Sequence, residues 1–185
     1  VGGVVGNNAG TIENCRNEAT LTAIGLYLGG VAGNSTGLID GCSNGGNIIA
    51  SNRNIGGVVG RIENATIRNS YNEGTVAPKG TNVGGVVGQA SQANVKNCYN
   101  EGSVDTSGAT ASSSAVGGVV GNLSNASAAV GCYNSGTVTG KTRVGGVFGS
   151  VTGTIYDGVN GESSTASKCY NTGTVTGNSY VGGVA

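Results

Sequence analysis

Seven times the chain writes an aliphatic residue, a Gly-Gly pair and a second aliphatic step. The copies open at Val1, Leu28, Ile55, Val83, Val116, Val144 and Val181. By subtraction of those residue numbers the openings lie 27, 27, 28, 33, 28 and 37 residues apart. Each repeat holds three short runs rich in Val, Ile and Thr, separated by Gly and Asn; in the third repeat they are 55–60, 66–72 and 73–77. That is strand chemistry punctuated by turn chemistry. No stretch carries ten or more residues at helical spacing, and the mid-segment glycines weaken a helix by about 1 kcal/mol each relative to Ala.

A fixed period means one structural unit stacked many times. About 27 residues in three short strands is the size of one coil of a β-solenoid, with coils about 4.8 Å apart. The expected fold is all-β: a right-handed parallel β-solenoid (β-helix) of about six coils, one domain over residues 1–185. Right-handedness follows from the general rule for parallel crossovers. A propeller blade needs about 40 residues or more, so the period disfavours that rival. The seventh copy stops inside its motif, so the chain reads as a section of a longer array whose open edges invite end-to-end self-association.

Aligning the repeats yields columns. Val1, Leu28, Ile55, Val83, Val116, Val144 and Val181 form one; Val4, Val31, Val58, Val86, Val119, Val147 and Val184 form a second. Ile12, Ile39, Ile67 and Val95 form a third, and Leu21, Ile48, Val76, Val104, Val138 and Val175 a fourth. One coil cannot bury them, but stacked coils can. Which of Val58 and Val59 points inward is open, because Gly-Gly is able to bend the strand. The glycines imply positive φ or a close backbone approach.

One polar column never varies: Asn17, Asn44, Asn72, Asn100, Asn134 and Asn171. Stacked amides bond from coil to coil, as Asn ladders do in stacked sheets. Cys15, Cys42, Cys98, Cys132 and Cys169 form another column, with Ser70 in its third place. One cysteine per coil does not have metal-site spacing. Adjacent coils come near enough for disulfides to be conceivable, but buried reduced thiols are the favoured reading. Tyr71, Tyr99, Tyr133 and Tyr170 follow, with Arg16 and Ser43 in the first two coils. This stripe either stacks across coils or binds sugar rings or a partner protein. Glu13 and Asp40 share a column with Arg68 and Lys96, which puts Asp40 beside Arg68. The longer spacings trace to links at 107–115 and 157–168, rich in Ser, Ala, Thr and Gly.

Composition narrows function. Gly is 38 of 185 residues and Pro is one, yet no Gly-X-Y period exists, so collagen is excluded. Net charge is zero and charged residues are 10%, with no basic patch, so nothing points to nucleic acid. No apolar run approaches membrane-spanning length. His is absent, so no Ser-His-Asp triad, Cys-His dyad or His-bearing zinc site can be built from this chain. Glu73 and Glu101 alone are weak grounds for calcium, and the calcium-binding β-helix pattern is missing. No catalytic, cofactor-binding or metal residues are assigned, and the chain is expected not to be an enzyme.

Gly-Gly-Val-Val-Gly, followed by Asn-Cys-Tyr-Asn-x-Gly-x-Val, resembles the GLUG motif over essentially the whole chain. The resemblance implies a repeat region of a large bacterial surface or secreted protein, of the adhesin-like or immunoglobulin-A-peptidase-like kind. In such peptidases a separate zinc-binding His-Glu-x-x-His region does the catalysis, and nothing of it carries over here. The expected function is thus a non-catalytic extracellular module, a structural stalk or an adhesive surface for a host glycan or matrix protein. A substrate-positioning module of a secreted hydrolase is the alternative. Ice binding through Thr137-Val-Thr139 and Thr174-Val-Thr176, or polysaccharide cleavage by Glu73, Glu101 and Asp105, rank lower.

Overall fold

A computed structural model describes residues 1–51, 53–109, 115–152 and 163–185. Among them there is no helix; every regular segment is a strand of two to five residues, paired in parallel with its counterparts one repeat away. The 107–115 and 157–168 links fall partly outside the described residues, at 110–114 and 157–162.

The third coil shows how one repeat folds. Its strands are Arg53–Gly56, Val59–Glu63, Thr66–Arg68 and Tyr71–Asn72, followed by a single bridging residue, Val76. The three runs expected from sequence thus become five strand positions per coil. The first run breaks because the chain turns at Gly57-Val58, and the second breaks at Asn69-Ser70. Each of the first four positions builds a six-stranded sheet. The fifth is carried by Leu21–Ala23, Ile48–Ala50, Val76, Val104–Asp105, Val138–Thr139 and Val175–Thr176. The result is a parallel β-solenoid.

Register is strict. Ile55 faces Leu28 and Val83, Ile67 faces Ile39 and Val95, and Asn72 faces Asn44 and Asn100. Neither long spacing disturbs it: Val83 pairs with Val116, and Val144 with Val181. The additional residues therefore fall between strands and shift no column.

The turn at Gly57-Val58 answers which valine points inward: both do. Val58 and Val59 are each fully buried, as are Val86 with Val87 and Val119 with Val120. A flat strand would send neighbours to opposite faces; the bend spares both from solvent. The aliphatic residues form two separate cores. One gathers Val31, Val58, Val86, Val119 and Val147 with Ile39, Ile67, Val95 and the buried cysteines. The other gathers Leu28, Ile55, Val83, Val116 and Val144 with Ile48, Val76, Val104 and Val138.

Candidate functional site

The asparagine column lies between those cores. The Asn44, Asn72, Asn100 and Asn134 side chains are fully buried. Each Nδ2 donates to the Oδ1 of the next coil: Asn17 to Asn44 at 2.7 Å, Asn44 to Asn72 at 2.8 Å, Asn72 to Asn100 at 2.8 Å, Asn100 to Asn134 at 2.7 Å and Asn134 to Asn171 at 2.8 Å. The second hydrogen of each amide goes to the carbonyl two residues on, for example Gly74 O at 2.7 Å and Gly102 O at 2.7 Å. From Asn17 to Asn134 both hydrogens of each amide are used, and every link points the same way. A one-way chain polarises its members and strengthens each bond.

Across the interior the amides meet the second glycine of each Gly-Gly pair. A Cβ on Gly57 would overlap the Asn72 amide and Gly85 O; one on Gly85 would overlap the Asn100 amide and Gly118 O. Neither glycine has a positive φ, so close approach is the reason for them. The amide ladder against the glycine column is thus the wall that divides the interior.

Positive φ occurs elsewhere. Asn14, Gly41, Asn69, Asn97, Gly131 and Lys168, each directly before the cysteine column, are left-handed. They form the corner that turns the chain from the third sheet into the fourth. Asn and Gly tolerate that conformation best, and their alternation was the sequence signal for this corner; Lys168 masks it.

The corner aims the thiols into the first core. Cys42, Cys98 and Cys132 are buried, while Cys15 and Cys169 are half-buried; all five are free thiols. The single hydrogen of the Cys42 thiol is shared between Ile12 O at 3.6 Å and Asp40 O at 3.3 Å, and that of Cys132 between Val95 O at 3.6 Å and Val130 O at 3.6 Å. Each thiol thereby reaches one coil back. Burial pushes the Cys98 thiol up to about 12. Ser70 keeps the bond to the carbonyl two residues back, at 2.8 Å to Arg68 O, and accepts the Cys42 backbone N–H at 3.1 Å. That explains why serine substitutes there.

Outside, the tyrosines stack. Ring centroids of Tyr71 and Tyr99 lie 4.8 Å apart, those of Tyr99 and Tyr133 4.8 Å, and those of Tyr133 and Tyr170 5.1 Å, with planes within 6°. Their faces cover one another, leaving mainly edges and hydroxyls to solvent. Burial, together with the neighbouring phenols and Glu101, raises the Tyr99 phenol above its ordinary range. Where the column begins, Arg16 reaches over the small residues Ser43 and Gly45. It donates to Ser43 Oγ at 3.2 Å, Tyr71 Oη at 3.3 Å and Glu73 Oε2 at 2.7 Å, and also pairs with Glu18. This clasp across three coils was not anticipated from sequence; carboxylates in the adjoining column, Glu18 and Glu73, were its signal. The Asp40–Arg68 pair forms as the register requires, at 2.7 Å, and Asn69 adds a bond to Asp40 at 2.9 Å. Both hold the Asp40 carboxyl below its usual range.

The stack sets a small but specific expectation. Tyr99→Ala uncovers a ring face on both Tyr71 and Tyr133 and should cost about 1–2 kcal/mol, counting two aromatic contacts of about 0.5–1.5 kcal/mol each less solvent exposure. Urea denaturation checks this; a loss no larger than for Thr137→Ala at an exposed position would mean the rings only happen to align.

Among the described residues, no group of three or more His, Cys, Asp or Glu side chains is arranged to hold a metal ion. Among the described residues, no helix is long and apolar enough to cross a membrane. No curated protein matches the chain. Residues 1–22, 51–77 and 79–105 match the GLUG motif.

Proposed function

We propose that this chain is a non-catalytic repeat module of a bacterial surface or secreted protein and that it works as a rigid spacer. The observation that carries the reading is the unbroken one-way run of amides from Asn17 to Asn171, which ties every coil to the next through the middle of the rod. Such a device serves length and stiffness. It adds about 4.8 Å of rod per coil and repeats without limit. The tyrosine stripe supports the spacer over sugar stacking, because its ring faces are taken up by one another. An adhesive role toward a host glycan or matrix protein would then use ring edges, hydroxyls and the polar residues beside them.

A spacer must bear load along its axis. Pulled from its two ends, the chain is expected to peel coil by coil, each coil of 27 or so residues releasing about 90 Å of contour. Single-molecule force spectroscopy reads this as a regular series of steps. Extension without any resisting step would sink the spacer reading. Binding of a glycan or matrix protein along one face, together with such softness, would favour adhesion in its place.

A further inference from the structure

The tyrosine column sets four phenols in a row, each against the next. Register pairs Tyr71 with Tyr99, Tyr99 with Tyr133 and Tyr133 with Tyr170. The ring centroids are 4.8, 4.8 and 5.1 Å apart and the planes differ by 0°, 4° and 6°. Parallel rings repeated coil after coil carry each atom over its own equivalent. Every ortho carbon therefore sits about one ring spacing from the same carbon of the next coil. Stacking takes up the ring faces and leaves the edges, with the hydroxyl and the ortho carbons, toward solvent. Tyr71, Tyr99 and Tyr133 are half-buried and Tyr170 is 53% exposed.

Those edges are where phenols couple. Loss of one electron and one proton from a phenol leaves a radical shared between the oxygen and the ortho and para carbons. In tyrosine the para carbon carries the side-chain stem, so carbon–carbon coupling falls to the ortho positions. The tyrosines outside the column are placed differently. The Tyr27 ring lies under the Arg61 guanidinium at 5.7 Å, and the register sets Tyr180 beside Arg143. Tyr180 is 81% exposed, so exposure alone would favour it over the column. Proximity favours the column. Groups held one strand spacing apart meet at an effective concentration far above that of a dilute protein.

We propose that the tyrosine column is an oxidative cross-linking site, joining adjacent coils by dityrosine bonds when the chain meets hydrogen peroxide turned over by a peroxidase. Two neighbouring phenols each give up one electron and one proton to the oxidant, which reduces one hydrogen peroxide to two waters. The two radicals join in a carbon–carbon bond between ortho carbons. The hydrogen on each of those carbons then moves to the oxygen of its own ring, restoring two phenols. The pair has lost two hydrogens in all. Rotation of the side chains brings the ortho carbons together while the strands keep their register. By subtraction of residue numbers, the bonds would close 28 residues between Tyr71 and Tyr99, 34 between Tyr99 and Tyr133 and 37 between Tyr133 and Tyr170. They would stitch the coils on the outside as the amides tie them within. The inference is independent of the spacer reading, since the rings couple or fail to couple whatever the rod is for.

The folded chain, kept dilute, is treated with hydrogen peroxide and a peroxidase, and its tryptic peptides are weighed. Two joined products are expected: peptide 69–79 with 97–141, and 97–141 with 169–185, each lighter than the sum by two hydrogens. Their yield should hold on further dilution and fall away when the chain is oxidised in denaturing urea. Tyr99→Phe keeps a ring in the stack but should abolish the first product; Tyr133→Phe should spare the first and abolish the second. Tyr180→Phe should leave both unchanged. Circular dichroism checks that the variants fold, and the dilution and urea arms on the parent chain do not depend on them. Persistence of the first product in Tyr99→Phe, or loss of the second in Tyr180→Phe, overturns the proposal. So does a yield that vanishes on dilution or is equal in urea, or a folded chain that forms neither product.

Discussion

Gly85→Ala is expected to be among the most damaging single-methyl substitutions in the rod, costing more than about 4 kcal/mol, the range in which only named steric or burial failures fall. The new Cβ would overlap Gly118 O, a backbone atom of the next coil, and the Asn100 amide on its other side. A flexible side chain could swing away; a carbonyl fixed in the coil above cannot, and Asn100 is itself tied at both ends of the ladder. Relief requires the fourth and fifth coils to separate locally, which also loosens the valines at 86, 87, 119 and 120, all fully buried. Stability of a stacked array is nearly a sum of coil and neighbour terms. The variant should therefore unfold in two stages, with the urea transition broader than the parent's. Gly108→Ala is the control: it has the same chemistry and open space around the new methyl, so a change within about 0.5 kcal/mol is expected. Parent-like stability for Gly85→Ala would mean that the amide wall is not packed against the glycine column.

The columns were readable because period alone fixes them. Once Ile55, Val83 and Val116 are recognised as equivalent, parallel stacking puts Asp40 beside Arg68 and every ladder asparagine over the next. What escaped was anything that depends on how a segment bends. The Gly-Gly pair left open whether the strand bends; the joints at Gly57-Val58 and at Asn69-Ser70 each add one strand position per coil, and the first buries both Val58 and Val59. The divided interior escaped for a related reason. Hydrophobic patterning marks which residues leave water, yet it does not reveal that an amide crosses between them and splits the apolar interior. The Arg16 clasp escaped because position in the column places Arg16 and Ser43 ahead of the tyrosines without showing how far an arginine reaches across coils. In fact Ser43 and Gly45 are small because the Arg16 side chain lies over them.

Asn100→Ala should cost about 3–5 kcal/mol, because three buried groups lose their partner together and each orphan costs about 1–3 kcal/mol. The Asn72 Nδ2 donor loses its acceptor, the Asn134 Oδ1 acceptor loses its donor, and Gly102 O loses the bond at 2.7 Å. Asn100→Asp separates hydrogen bonding from packing, since the shape is nearly unchanged. The introduced carboxylate still accepts from Asn72, but it has no hydrogen to give and faces two oxygens. Burial and those oxygens should raise its folded pKa above the unfolded value of about 3.9. The native state then holds the proton more tightly than the unfolded chain. The sign follows: the variant is most stable below the unfolded pKa and loses stability as pH rises through the folded one. Denaturant midpoints should therefore fall from acid to neutral pH in Asn100→Asp, while Asn100→Ala tracks the parent's pH dependence. Equal midpoints for Asn100→Asp across that range would show that the amide at this position is solvated, and with it the rod would lose the internal tie that makes it a spacer.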